Sequence, residues 1–175
     1  MNSSPEKNED HQTSEFQDNL ELLRNIYFFA GLPLESLKVL AYICTRETFK
    51  VGEYLFQQDD DDGQAFYILS GKTGLEHRDE NGDHMIREYE AEDFLGGLVL
   101  LSNMRRRFSL KAVTDVTCLI LTRDKFLITM EQFPELMPKI IKSVVENISS
   151  IEGRFLASST EGCENCRQMV GFSLL

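Results

Sequence analysis

Between Glu47 and Arg123 the apolar residues come in short or alternating runs, each cut off by turn-forming residues. That texture calls for short strands rather than helices, and it limits the fold more than any other feature of the chain. Asn81-Gly82 inside Glu80-Asn81-Gly82-Asp83 signals a tight hairpin. Phe108, Leu110 and Ala112 alternate with Ser109, Lys111 and Val113, as in a half-buried strand, and Cys118-Leu119-Ile120-Leu121 closes the sheet. On either side the period becomes helical. Leu20, Leu23, Ile26 and Tyr27 recur at helical spacing from about Asp18, and Pro33 opens a second short helix carrying Leu37, Leu40 and Ala41. After the strands, Asp124 suits an N-cap for a short helix through Met130, and Phe133-Pro134 breaks it. A longer helix follows, in which Met137, Ile141, Val144, Ile148, Ile151 and Phe155 form a heptad seam widened by Ile140, Val145 and Leu156.

With 175 residues, 42% of them hydrophobic, the chain has material for one domain and its core. Residues 1–17 are polar and acidic and are expected to be a disordered tail. Residues 18–156 form the expected domain, and 157–175 a flexible tail. No stretch approaches the roughly 18 consecutive apolar residues of a membrane span, and the N-terminus lacks the apolar core of a secretion signal. A cytoplasmic protein is expected. The formal net charge of −11 repels a nucleic-acid backbone and an anionic membrane, so neither is an expected partner.

Against that charge, Arg105, Arg106 and Arg107 are the densest basic cluster, and they follow Asp93-Phe94-Leu95-Gly96-Gly97-Leu98-Val99-Leu100-Leu101. The glycine pair lets consecutive amides converge on one anion, the apolar run can start a short helix, and an arginine can close over a phosphate with two hydrogen bonds. Other constellations are weaker. Asp59 to Asp62 before Gly63 suggests a calcium loop, but Gln58 and Leu69 stand where ligands would be needed, so a solvated loop is the better reading. Cys44 and Cys118 sit in apolar stretches and read as core thiols. Cys163 and Cys166 supply half of a zinc site at most and are read as an inert dithiol. His11, His77 and His84 have no nucleophile context. No catalytic residue and no metal site is assigned, and the chain is not expected to be an enzyme.

The Gly96–Ser109 segment closely resembles the phosphate-binding cassette of the cyclic-nucleotide-binding domain family, Phe-Gly-Glu-Leu-Ala-Leu followed by Arg-Ala-Ala-Thr/Ser-Val. Leu95 falls on the family Phe, Gly96 on its Gly, Leu98 on its Leu, Arg106 on its Arg and Ser109 on its Thr/Ser. Gly97 stands where the family has the glutamate that accepts a hydrogen bond from the ribose 2′-hydroxyl. Phe29-Ala30-Gly31-Leu32, Gly52-Glu53-Tyr54-Leu55-Phe56 and Ala65-Phe66-Tyr67-Ile68-Leu69-Ser70-Gly71 extend the resemblance from about Leu23 to Phe155. It implies an α+β, mainly-β jelly-roll (double-stranded β-helix, cupin-like) barrel with N-terminal helices and a long C-terminal helix. It also implies a cAMP or cGMP site built from Gly96, Gly97, Leu98, Arg106, Arg107 and Ser109, without any cofactor. The helix of residues 134–156 is expected to pair two subunits. No output domain follows Phe155 in these residues, so a signal would pass through this helix or a separate effector protein. The other reading is a degenerate roll that binds no nucleotide and serves as a homodimeric interaction module. Its support is Gly97, the missing glycines near Asp59 to Asp62, and Phe108 in place of a small residue.

Overall fold

The computed structural model describes residues 6–80 and 82–158. Helix α1 spans Glu6–Asn25, a 3-10 turn follows at Tyr27–Phe29, and α2 spans Leu34–Ile43 after Pro33. The helix expected from about Asp18 therefore begins twelve positions earlier, and residues 6–17 belong to α1 rather than to a disordered tail. Anchoring explains the difference. Phe16 packs against the same core as Leu20 and Leu23, and Arg46 draws the helix onto the first strand by pairing with Glu15, Asp18 and the Asn19 side-chain oxygen.

Eight strands follow: β1 Thr45–Phe49, β2 Tyr54–Phe56, β3 Gln64–Ser70, β4 Lys72–Asp79, β5 Gly82–Glu90, β6 Phe94–Leu95, β7 Ser109–Ala112 and β8 Val116–Thr122. They form two four-stranded antiparallel sheets, ordered β1-β8-β3-β6 and β2-β7-β4-β5. The jelly-roll character is as expected, but the described strands make a two-sheet sandwich and no closed barrel.

The period of two assigns the faces. In β3 and β8, Phe66, Ile68, Cys118 and Ile120 point between the sheets and meet Leu55, Phe56, Leu110 and Ala112. Ala65, Tyr67, Leu119 and Leu121 point the other way, into a second core with Leu23, Phe28, Leu40 and Phe126. Burial on both faces accounts for the unbroken apolar run in β8. At the edge of the other sheet, β5 is exposed along nearly its whole length, and its hairpin to β4 closes on the Asp79–Gly82 pair. Gly71 holds the bend between β3 and β4 at φ +92°, where a β-carbon would collide with the Asp115 carbonyl.

Helix α3 spans Arg123–Gln132 and α4 spans Leu136–Ser158. Thr122, not Asp124, occupies the N-cap position of α3, because the helix continues directly from the end of β8 and takes Asp124 into its first turn. Leu136, Ile140 and Ser143 form the buried stripe of α4, with the Ser143 hydroxyl donating to the Ala30 carbonyl at 3.1 Å. Of the expected seam, Met137, Val144 and Ile148 are half-buried, and Ile141 and Ile151 are exposed. Cys163 and Cys166 lie outside the described residues.

Candidate ligand cavity

The β6 strand ends at Leu95, and Gly96 then turns the chain at φ +82° into a 3-10 turn over Gly97–Leu100. Only glycine suits this place. A β-carbon here would stand 2.8 Å from Arg106 Nη1 and 2.8 Å from the Gln64 carbonyl, in a backbone region that side chains disfavour. The close fit brings the turn against Arg106.

Arg106 is the hub of the site. Its guanidinium Nε and Nη2 donate to the two Asp62 carboxylate oxygens at 2.7 and 2.8 Å, and Nη2 also donates to the Gln64 carbonyl. The guanidinium carbon lies 3.9 Å above the centre of the Phe56 ring. Backbone bonds reinforce the pairing: the Asp59 amide donates to Arg106 O and the Arg106 amide to Asp60 O, both at 2.8 Å. Nη1 makes no hydrogen bond among the described residues and is the nitrogen that meets Gly96. Such a pair in a weakly solvated place is geometrically strict and leaves one donor edge of the arginine for an incoming anion.

The acidic run is solvated at Asp59, Asp60 and Asp61, as expected, but it is also tied down. Asp62 is held by Arg106 and Asp61 by Arg123, whose other nitrogens donate to Val99 O and to the Asn103 side chain. Arg123 thus ties the acidic loop to the glycine turn. Neither Asp62 nor Arg123 was singled out from sequence. The available signal was four consecutive carboxylates in a chain whose densest arginine cluster lies in another loop.

A cavity of about 410 Å³ opens between this turn and α4. Gly96, Gly97, Leu98, Arg106 and Arg107 line it, with Arg105 beside them, so five of the six expected site residues come together. Ser109 does not. Its hydroxyl is buried and accepts the Gln58 amide at 2.9 Å, which fastens the acidic loop to β7. Val144, Asn147, Ile148 and Ile151 of α4 form the opposite wall with Tyr27 and Phe28. Burial raises the Tyr27 phenol above its ordinary pKa, so it stays neutral. Arg105, Arg106, Arg107 and Phe108 also border a second, more open hollow with Gln58, Asp59 and His77. Phe108 stands edge-on to His77 at 5.7 Å and separates the two spaces.

Two further expectations concern thiols and metals. Burial pushes the Cys44 and Cys118 thiols up to about 12, so both behave as packed hydrophobes. Among the described residues no cluster of three or more His, Cys, Asp or Glu side chains could hold a metal ion, and no helix is long and apolar enough to cross a membrane.

Comparison with known proteins adds an independent line. A profile described as "Cyclic nucleotide-binding domain" matches residues 46–133, about half of the chain. Human cGMP-dependent protein kinase 2 is 25% identical over 130 residues, which are 73% of this chain and 17% of that protein. The cAMP-dependent protein kinase regulatory subunit of Emericella nidulans is 35% identical over 95 residues, 54% of this chain and 22% of that one. This chain thus spans about a fifth of the length of either relative. Among solved structures, a cyclic nucleotide-binding-like protein from Brucella abortus aligns over 65% of this chain and 98% of its own at TM-score 0.60 and 24% identity. The N-terminal domain of a Streptomyces coelicolor transcriptional regulator covers 74% of this chain and 94% of its own at TM-score 0.66 and 22% identity.

Proposed function

Because this chain belongs to the cyclic nucleotide-binding domain family, we propose that it is a regulatory module that takes a cyclic nucleotide, cAMP or cGMP, in the cavity under α4. The observation that carries the reading is the convergence of the Gly96 turn, the free Nη1 edge of Arg106 and the inner face of α4 on one cavity. In this reading the amides after Gly96 and the guanidiniums of Arg106 and Arg107 neutralise the cyclic phosphate, while Val144, Asn147 and Ile148 face the base. Ser109 acts indirectly by fixing the acidic loop. Ligand that binds one position of α4 better than another shifts the helix by that difference in affinity. The module performs no reaction of its own and works inside the cell on an effector.

Calorimetric titration with cAMP and cGMP tests this. Saturable binding by the parent, weakened in Arg107→Ala, supports the reading. Absence of heat and of any thermal shift at about millimolar ligand, the weak end of specific binding, overturns it.

One observation favours the second reading, a non-binding homodimeric module. The outer flank of α4 exposes Ile141 and Val145, each by about half. A second copy using residues 134–156 would cover this stripe, alone or together with ligand control. Sedimentation of Ile141→Glu separates the cases: loss of a dimer without loss of ligand binding makes the helix a pairing surface in addition to a lid.

A further inference from the structure

The cavity under α4 is strongly polar at one pole only, where the Gly96 turn meets Arg105, Arg106 and Arg107. Position 97 lies at the edge of that pole and is buried. A β-carbon built on Gly97 would stand 2.9 Å from the Phe28 ring and 2.9 Å from the Phe94 ring. Those rings are fixed in a cluster: Phe28 and Phe94 lie 5.7 Å apart, Phe29 and Phe94 5.7 Å, and Phe28 and Phe126 6.1 Å. A side chain at position 97 would have to displace these rings, whose aromatic carbon occupies the space next to it. Of the neighbouring backbone acceptors, Gly96 O already receives the Val99 amide and Leu98 O the Leu101 amide.

Resting on the function proposed above, we infer that this site reads the anionic head and the flat base of its ligand and leaves the sugar 2′-hydroxyl unread. The covalent structure of the ligand carries the step. In a 3′,5′-cyclic nucleotide the 2′-carbon adjoins one of the two carbons that carry the phosphate, so a phosphate seated at the turn keeps the hydroxyl within reach of position 97. That hydroxyl has a proton to donate, and the guanidiniums at the pole are donors without an acceptor. Phe28 and Phe94 offer none either. The other polar side chains of the lining, Tyr27 and Asn147, are not among the atoms nearest position 97. A hydroxyl enclosed there without an acceptor weakens binding rather than strengthening it. Phe28, Phe94 and Gly97 together are then specificity-determining residues: they admit 2′-deoxy cyclic phosphates as well as the ribose form.

The test uses the full chain and four probes, cAMP, cGMP and their 2′-deoxy counterparts, in calorimetric titration. The expected result is a 2′-deoxy ligand bound equally or up to about tenfold more tightly than its ribose parent, the size of an unpaired buried hydroxyl. A ribose ligand bound about tenfold more tightly than its deoxy form overturns the inference and leaves the proposed function standing. If that preference disappears in Tyr27→Phe, the phenol is the group that reads the hydroxyl. Binding by none of the four overturns the inference and the proposed function together.

Discussion

Two arginine–aspartate pairs use nearly the same geometry in different surroundings. Arg106 meets Asp62 through hydrogen bonds of 2.7 and 2.8 Å, with side chains only 6% and 16% exposed. Arg78 meets Asp83 across the β4–β5 hairpin at 2.8 and 3.5 Å, with side chains 62% and 44% exposed. The first pair closes a loop over a ring-lined cavity and the second lies along a solvated edge. Water decides what each is worth: it screens the exposed pair and replaces either partner at little cost, whereas a partner removed from the enclosed pair leaves a charge that water reaches poorly. One ion pair therefore organises a site while the other decorates a hairpin.

The largest expected effect comes from breaking the enclosed pair. Asp62→Asn should lower the unfolding free energy in urea by about 3 kcal/mol, the scale of an uncompensated buried charge. The same substitution leaves the Arg106 charge aimed into the cavity, so added cyclic nucleotide should raise the unfolding midpoint more in this variant than in the parent. Arg106→Gln should cost a similar amount and show no such recovery. A loss in Asp62→Asn no greater than that of Arg78→Ala would erase the distinction between the pairs. Next in size is Gly96→Ala, expected to cost about 1 to 3 kcal/mol because it adds a clash with Arg106 Nη1 to a strained backbone. Gly52→Ala is its control, with φ +88° and nothing within 4 Å of the added carbon, so it isolates the backbone contribution at about 1 kcal/mol.

The contrast also explains how much could be read before folding. Strand and helix periods were legible because each is a local pattern; Phe66, Ile68, Cys118 and Ile120 fall on one face by counting alone. Gly96 and Arg106 were legible because the loop chemistry of an anion site is written in consecutive residues. Asp62 was not. Its role depends on an arginine 44 positions away, and nothing local distinguishes it from Asp59 or Asp60. The same holds for Phe28, whose ring fills the space beside Gly97 from a turn far earlier in the chain, and for Arg46, which pairs with Glu15 and Asp18 in an acidic segment that composition alone reads as disordered. Long-range pairing decides these residues, and a single sequence carries no record of it.

The smallest expected effect sharpens the comparison from the exposed side. A hydrogen bond from Arg78 holds the Asp83 carboxyl below its ordinary value of 3.8, with Lys111 and His84 adding weaker attraction. A carboxyl with a depressed folded pKa stabilises the fold fully at pH above its unfolded value, and that contribution fades as pH falls through the lower folded value. The window is therefore acidic, below about pH 4, and empty at neutrality of any further change. Arg78→Ala should move the Asp83 titration, followed by carboxyl NMR shifts, back toward the ordinary value and lower the thermal midpoint at neutral pH only slightly, because the pair is exposed. Raised salt should mimic the substitution in the parent, because screening acts on exposed pairs within a Debye length of about 10 Å at 0.1 M. Asp62→Asn should keep its penalty in the same salt series, since the contacts it breaks lie beside the Phe56 ring rather than in water. A neutral-pH midpoint that falls in Arg78→Ala as far as in Asp62→Asn would mean that the hairpin edge is part of the site's support after all.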